Sequence, residues 1–399
     1  MSSLNRQERH LITIQGLDYF ASGLASIFVT IFLFAHSDLR TTILFQLWTY
    51  GSLLFFFVLS GYTLRKVSSA THMKVGVAVG AIFYFFLFVF QEKTVQYIVP
   101  LAIFHGFGAG IYWAALNLNQ YIFSNQTKRE QYFGYTGAVV NILSAMSPFL
   151  GGLIITIFGT GLYYGVGTGY ATLFFLVFLL LVGMVLFIGK LPGHEGPSFS
   201  YKHLFTKERS VLWRLVLWEH ALIGLYDAAL GTVTGILFYL ILKQEVLIGS
   251  AQAVGFILSS IGGVASAKLL EKQHRYFWVG SVGLALALWI FASMQNPIGL
   301  WIFVVVSGFT GPFLNTWLAS VWFHSMDAVR DHWRNKYHLM LERDISLGVC
   351  RILSLVFLYV YLAHGDQVIL AKQWLFVLPV LPLAIGVLLQ KSGDTIRRR

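Results

Sequence analysis

The chain has 399 residues, of which 57% are hydrophobic and only 11% charged, with a mean hydropathy of +0.70. A soluble domain carries roughly 25% charged residues, so a water-soluble globular fold is excluded. The formal net charge of +11 would suit a nucleic-acid partner, but its distribution along the chain follows membrane topology, and no nucleic-acid partner is expected.

Apolar runs of about 20 residues, long enough to cross roughly 30 Å of hydrocarbon, recur along the whole chain. Twelve are predicted: 11–34, 41–64, 74–90, 95–122, 132–158, 161–189, 212–242, 247–269, 275–294, 297–324, 344–363 and 370–390. Only helices or closed barrels satisfy backbone polar groups in lipid, and these runs lack the period-2 alternation of a barrel strand. The expected class is an all-α membrane protein. The first run is too long for a cleavable signal, and no small-residue cleavage site follows it.

That first run contains a carboxylate, Asp18, seven residues from its start and so about 10 Å along the helix axis. A charge there costs at least ~2.5–3.5 kcal/mol and marks a functional position by default. Desolvation disfavours the charged form, so proton exchange is the expected role; an interfacial cap is the alternative. The fourth run carries His105 within FHGFGAGIYWAALNLNQ. A lone histidine there serves packing or a proton relay. Asn117 and Gln120 share a helical face, and Trp113 joins it at i−4, which makes a solute-facing stripe. In the fifth run, Pro148 removes a backbone hydrogen bond and bends the helix, while Gly151 and Gly152 admit a close neighbour.

Residues 190–211, KLPGHEGPSFSYKHLFTKERSV, form the longest polar segment and read as a linker between six helices (1–189) and six more (212–399). In the seventh run Glu219 lies eight residues before Asp227, nearly two turns, so the two share a face. Both are candidate proton-coupling acids; Glu219 could equally snorkel at the cytoplasmic end. The tenth run carries Asn315 and Trp317, with Trp322 and His324 beyond. The eleventh carries Arg351, which must pair with an acid, with Asp227 or Glu219 as expected partners, or bind an anionic substrate group. Cys350 is the single cysteine, so no disulfide and no cysteine-rich metal site is expected.

Of 28 Lys and Arg residues, 23 fall at the termini and in one alternate set of loops. The other set holds four, Arg40, Lys93, Lys243 and Lys372, and Arg351 completes the total. By the positive-inside rule both termini are cytoplasmic. The halves also echo each other. Gly16-Leu17-Asp18 with Gly23 recurs as Gly224-Leu225-Tyr226-Asp227 with Gly231, and Gly106-Phe107-Gly108 recurs as Gly308-Phe309-Thr310. Arg129-Glu130 with Gly134 recurs as Arg343-Asp344 with Gly348. A shared register of this kind indicates a parallel internal repeat, which in secondary transporters places the substrate site between the halves near the midplane.

The six-plus-six layout with a basic central linker resembles the major facilitator superfamily over essentially the whole chain. Its loop motif between helices 2 and 3 is degenerate here: Gly61, Arg65 and Lys66 remain, but the acid is lost. The copy between helices 8 and 9 keeps an acid, Glu271, beside Lys272 and lacks the glycine. Ser147-Pro148-Phe149-Leu150-Gly151-Gly152 is similar to the end of the motif associated with proton antiporters in this superfamily. The resemblance implies two pseudo-symmetric six-helix bundles around a central cavity and secondary transport of a small organic solute by alternating access. It implies proton coupling with a lean to export. A proton-coupled importer of a sugar-like metabolite, or a non-transporting receptor with this fold, is the alternative. Small solute, protons and lipids are the expected partners of a monomer in a bacterial inner membrane, without cofactor or metal. An enzyme is not expected, because no metal, nucleophile-elbow or phosphate-loop motif is present.

Overall fold

A computed structural model describes residues 4–123, 129–160, 166–192, 196–206, 208–329 and 333–397. The start of the predicted sixth run and parts of the predicted linker lie outside the described residues. The described chain is helical: α1 (Arg6–His36), α2 (Leu39–Thr63), α3 (Ser69–Phe90), α4 (Ile98–Phe123), α5 (Arg129–Thr160), α6 (Val166–Ile188), α7 (Val211–Leu242), α8 (Glu245–Lys272), α9 (Phe277–Met294), α10 (Pro297–Asp327), α11 (Trp333–Tyr361), α12 (Gln367–Trp374) and α13 (Val380–Arg397). Ten segments are long and apolar enough to cross a membrane, and one of them, Ser69–Phe123, contains both α3 and α4. Large apolar side chains face outward, with Leu186 73% and Trp218 66% exposed, a surface suited to hydrocarbon and not to water.

Polar residues placed between the apolar runs start these helices. Asn5 and Glu8 form a reciprocal capping box on α1, at 2.7 and 2.8 Å. Asp38, Ser68, Ser210 and Asn296 each accept a hydrogen bond from a backbone N–H in the first turn of α2, α3, α7 and α10. Lys243 and Gln295 end α7 and α9 in the left-handed conformation, at φ of 56° and 44°.

Two boundaries differ from the apolar pattern. The predicted run 370–390 is divided into α12 and α13 by turns at 375–379. Pro379 and Pro382 have no N–H for the carbonyls of Leu375 and Leu378. The chain instead makes i→i−3 bonds, Val380 N–H to Val377 and Leu381 N–H to Leu378. Helix α11 begins at Trp333, eleven residues ahead of the predicted 344, because its polar first turns bury Tyr337, Leu339, Met340 and Leu341.

The chain divides into two compact units. The first comprises Met1–Lys202, Gln244–Ala253 and His332–Leu341; the second comprises His203–Lys243, Val254–Asp331 and Glu342–Arg399. The first unit thus holds α1 to α6 with the opening turns of α8 and α11. Its α8 segment belongs there because two helices meet without side chains between them. A Cβ on Gly249 would stand 2.1 Å from the Pro148 carbonyl oxygen, and one on Gly152 would stand 2.3 Å from that of Glu245. Its α11 segment is held by the linker: Phe199 stacks on His338, with ring centroids 5.1 Å apart, and the Ser200 N–H donates to His338 Nε2 at 3.1 Å.

Within each unit the repeated sequence pairs occupy matching crossings. Gly16 seats α1 on Val139 and Leu143 of α5, and Gly224 seats α7 on Leu347 and Cys350 of α11. Gly106 seats α4 on α2 at Thr49 and Ser52, and Gly308 seats α10 on α8 at Gly255 and Leu258. The internal repeat is therefore physical as well as textual: the same helix of each half uses the same small residue against the same neighbour. Arg129 and Glu130, the third pair's first copy, have side chains outside the described residues.

Candidate functional site

The first unit's polar centre is Asp18. It lies on α1, partly exposed, and among the described residues no Lys or Arg forms an ion pair with it. Its neighbours are phenols: Tyr19 beside it on α1, Tyr84 on α3 and Tyr112 on α4. The Tyr112 hydroxyl is its nearest hydrogen-bonding neighbour. That hydroxyl is buried, yet it makes no hydrogen bond of ordinary length. The Trp113 ring, partly exposed, meets the Tyr19 ring edge to face, at 6.1 Å and 88°.

Of the predicted α4 stripe, Trp113 joins this cluster. Gln120 is occupied elsewhere, donating to the Gln15 side chain of α1 at 2.9 Å. Asn117 is partly exposed and also has an interaction partner. The buried neighbour Asn119 is a helix tie, accepting from Ser69 at 2.5 Å and contacting the Met73 sulfur at 3.0 Å. His105 packs in a cluster of rings, 4.2 Å from Phe83 and 6.4 Å from Phe45 between centroids, with Tyr84 at 6.5 Å. It is an aromatic packing residue one ring away from the acid.

The second unit's symmetric acid is in a different chemical state. Asp227 accepts from the Arg351 guanidinium, with Nε at 3.1 and 3.0 Å from its two oxygens and Nη2 making a further close contact. The partner expected of Arg351 is thus Asp227 and not Glu219. Arg351 also lies in the field of Asp344, which is itself paired with Arg343 at 2.6 Å. Arg343 stacks over the Trp322 ring at 3.9 Å. Glu219 is fully buried near the α7 start, accepting from the Ser392 hydroxyl of α13 at 2.6 Å while its second oxygen has no partner. Asn315 is exposed on α10, whereas Trp317, two residues on, packs with His274 and Phe277, 5.5 and 6.4 Å between centroids. The two do not converge, as positions i and i+2 of a helix face apart.

The predicted loop motifs are at helix ends. Gly61 makes room for Phe199 of the linker, whose ring would lie 2.7 Å from an added Cβ. Arg65 and Lys66 are exposed and approach the Tyr62 ring, at 5.8 and 5.5 Å. Glu271 and Lys272 are exposed at the end of α8. Pro148 and Gly151 lie at the α1–α5 contact, where a Cβ on Gly151 would be 2.3 Å from the Leu24 carbonyl oxygen.

Sequence reasoning missed the buried acid that holds the linker. Glu342 on α11 accepts from the Phe205 N–H at 2.9 Å, Arg209 Nη2 at 2.6 Å and the Trp213 indole at 2.7 Å. It is fully buried and anchors the second half of the linker. In the sequence it stands in a charged stretch, HLMLERD, with nothing to separate it from a solvated residue.

A family model described as Major Facilitator Superfamily matches residues 11–332. The protein YqgE of Bacillus subtilis (strain 168), described as uncharacterized, is 21% identical over 359 residues, covering 88% of this chain and 82% of that one. Among solved structures, the nucleoside transporter NupG superposes with a TM-score of 0.68 at 14% identity, covering 98% of this chain and 99% of that one. A POT family transporter in complex with a thioalcohol-conjugated peptide superposes with a TM-score of 0.71 at 11% identity, covering 98% and 96%. At these identities the structural likeness speaks for the fold.

Proposed function

The chain belongs to the major facilitator superfamily, an integral membrane family whose solved neighbours are transporters, and from that premise we propose that it is a proton-coupled secondary transporter of a small organic solute. Asp18 carries the proton. The observation behind this reading is the contrast between the two symmetric acids: Asp227 is neutralised by Arg351, while Asp18 has phenols around it and no cation among the described residues. A carboxyl held without a counter-ion in low dielectric is the one whose charge costs most. Loading and unloading a proton there favours different exposures of the site.

The residues 1–189 and 212–399 act in this reading as two bundles joined by the linker 190–211, which alternate the solute's access to the two sides of the membrane. Both termini are cytoplasmic in this reading, which the loop distribution of Lys and Arg supports, and the protein acts as a monomer in a bacterial inner membrane. Export by antiport is the favoured direction. What supports it is the Pro148–Gly152 segment, whose glycines sit against α1 on one side and α8 on the other. Such side-chain-free crossings let helices part and re-form without unpacking a core. No cofactor, metal or nucleic acid enters the scheme.

The test is reconstitution into proteoliposomes with an imposed pH gradient and a solute panel. The expected result is solute-dependent proton movement, abolished by a protonophore. Solute movement indifferent to pH gradient and potential alike would remove proton coupling from the account.

A further inference from the structure

Asp18 and its aromatic surroundings point to the chemical class of the solute. We propose that the first unit binds an organic cation with an apolar body, its charge on Asp18 and its body in the corner formed by Tyr19 and Trp113. This rests on the transport reading above and goes further by naming what is carried.

The geometry separates a supporting layer from a contacting one. Tyr84 and Tyr112 are buried, so they stand behind the acid and cannot be the surface that a solute meets. Asp18, Tyr19 and Trp113 each retain exposed surface. The Tyr19 and Trp113 rings stand at 88° to each other, 6.1 Å apart, which makes two perpendicular aromatic walls beside one carboxyl. A cation near such rings is attracted by their quadrupoles, and the carboxylate supplies full charge. An anion would meet the negative faces and the acid together and is disfavoured twice.

A neutral solute would need polar partners to replace water. The contacting layer offers few, since Gln120 is committed to Gln15 and Asn119 to Ser69. The Tyr112 hydroxyl, the hydrogen-bonding neighbour of Asp18, makes no hydrogen bond of ordinary length, and this is the second sign of an unfinished site. It is buried beside an acid with no counter-ion, and a bound cation that holds the carboxyl ionised gives this donor its acceptor.

One carboxyl then serves both ions. Proton and organic cation compete for Asp18, so binding one expels the other, and exchange follows without a second coupling residue. The titratable groups facing Asp18 from other helices are the phenols of Tyr84 on α3 and Tyr112 on α4, with Tyr19 on its own helix. Among the described residues no charged group of α2, α5 or α6 acts on it.

Equilibrium dialysis of radiolabelled tetraphenylphosphonium against the full chain in detergent tests this without any gradient. Triphenylphosphine oxide serves as the neutral aromatic comparison. Expected are saturable binding that weakens as pH falls and at least about tenfold weaker binding of the neutral compound. Asp18→Asn should abolish binding while leaving the melting temperature intact. Trp113→Ala should lower affinity about tenfold, with Trp113→Phe restoring most of it. Asp18→Glu keeps the charge and covers the case in which Asp18→Asn does not fold. Equal binding of charged and neutral probes, or undiminished cation binding by a folded Asp18→Asn chain, overturns the proposal. If the phosphonium does not bind, yet proteoliposomes accumulate another solute in an Asp18-dependent way, the cation class is wrong and the transport reading stands. If it binds as expected but no gradient moves it, the site stands and the transport reading falls.

Discussion

Removing Arg351 should destabilise the protein more than removing Asp227, although the two form one ion pair. The pair is neither exposed nor sealed: the side chains retain 24% and 32% of their exposure. Exposed pairs contribute about 0.2–1 kcal/mol, and breaking a fully buried one costs about 3–5 kcal/mol. This geometry falls between those limits. Arg351→Met leaves Asp227 with no other ion pair among the described residues, and should cost about 2 kcal/mol on that interpolation. Asp227→Asn leaves Arg351 in the field of Asp344 and provides an amide oxygen where the carboxylate was. It should cost about 1 kcal/mol or less. Reversible unfolding in mixed micelles, followed by circular dichroism, measures both, and the double variant gives the coupling energy. If Asp227→Asn costs as much as Arg351→Met, the field of Asp344 does not compensate and the reasoning about this cluster fails.

Three other outcomes follow from the structure. Glu342→Ala should lower the unfolding midpoint by an amount equivalent to about 2–4 kcal/mol, because it strands the Arg209 guanidinium, the Trp213 indole and the Phe205 N–H at once; an unchanged midpoint would show the linker anchor to be dispensable. Gly249→Val places a side chain where even a Cβ would be 2.1 Å from the Pro148 carbonyl oxygen. Overpacking of about 1–3 kcal/mol is expected, with transport lost in protein that still reaches the membrane, and normal transport by this variant would refute the crossing. Cysteines placed at the exposed positions Lys93 and Lys202 should label from opposite sides of sealed vesicles, and labelling from one side would overturn the topology.

Eleven of the twelve predicted runs each match one helix, because a membrane helix announces itself through length and apolarity alone. The same criterion could not find the opening turns of α11, where a polar sequence forms a helix around buried Tyr337 and Leu341. It also ran through Pro379, where the missing N–H divides α12 from α13. The acids were visible as charges in hydrocarbon, and Asp227 could be matched with Arg351 because a lone buried cation requires a partner. Tyr84 and Tyr112 were not foreseen beside Asp18, since their contribution depends on α3 and α4 meeting α1 in space. Asn315 and Trp317 were legible only as polar and aromatic residues of one helix, and it takes the fold to pack Trp317 against His274 and Phe277. Glu342 carried no signal, because its three donors lie more than a hundred residues away in the chain.

The central claim is that Asp18 carries the coupled proton, and Asp18→Asn in proteoliposomes tests it most directly. Two assays on one preparation suffice: accumulation driven by an imposed pH gradient, and exchange of labelled for unlabelled solute with no gradient. A carboxyl that couples the proton predicts that gradient-driven accumulation is abolished in the variant; exchange continues only for a solute that does not need the carboxylate to bind, and is lost as well for the organic cation proposed above. Accumulation by Asp18→Asn at the wild-type rate, with an undiminished dependence on pH, would contradict the account.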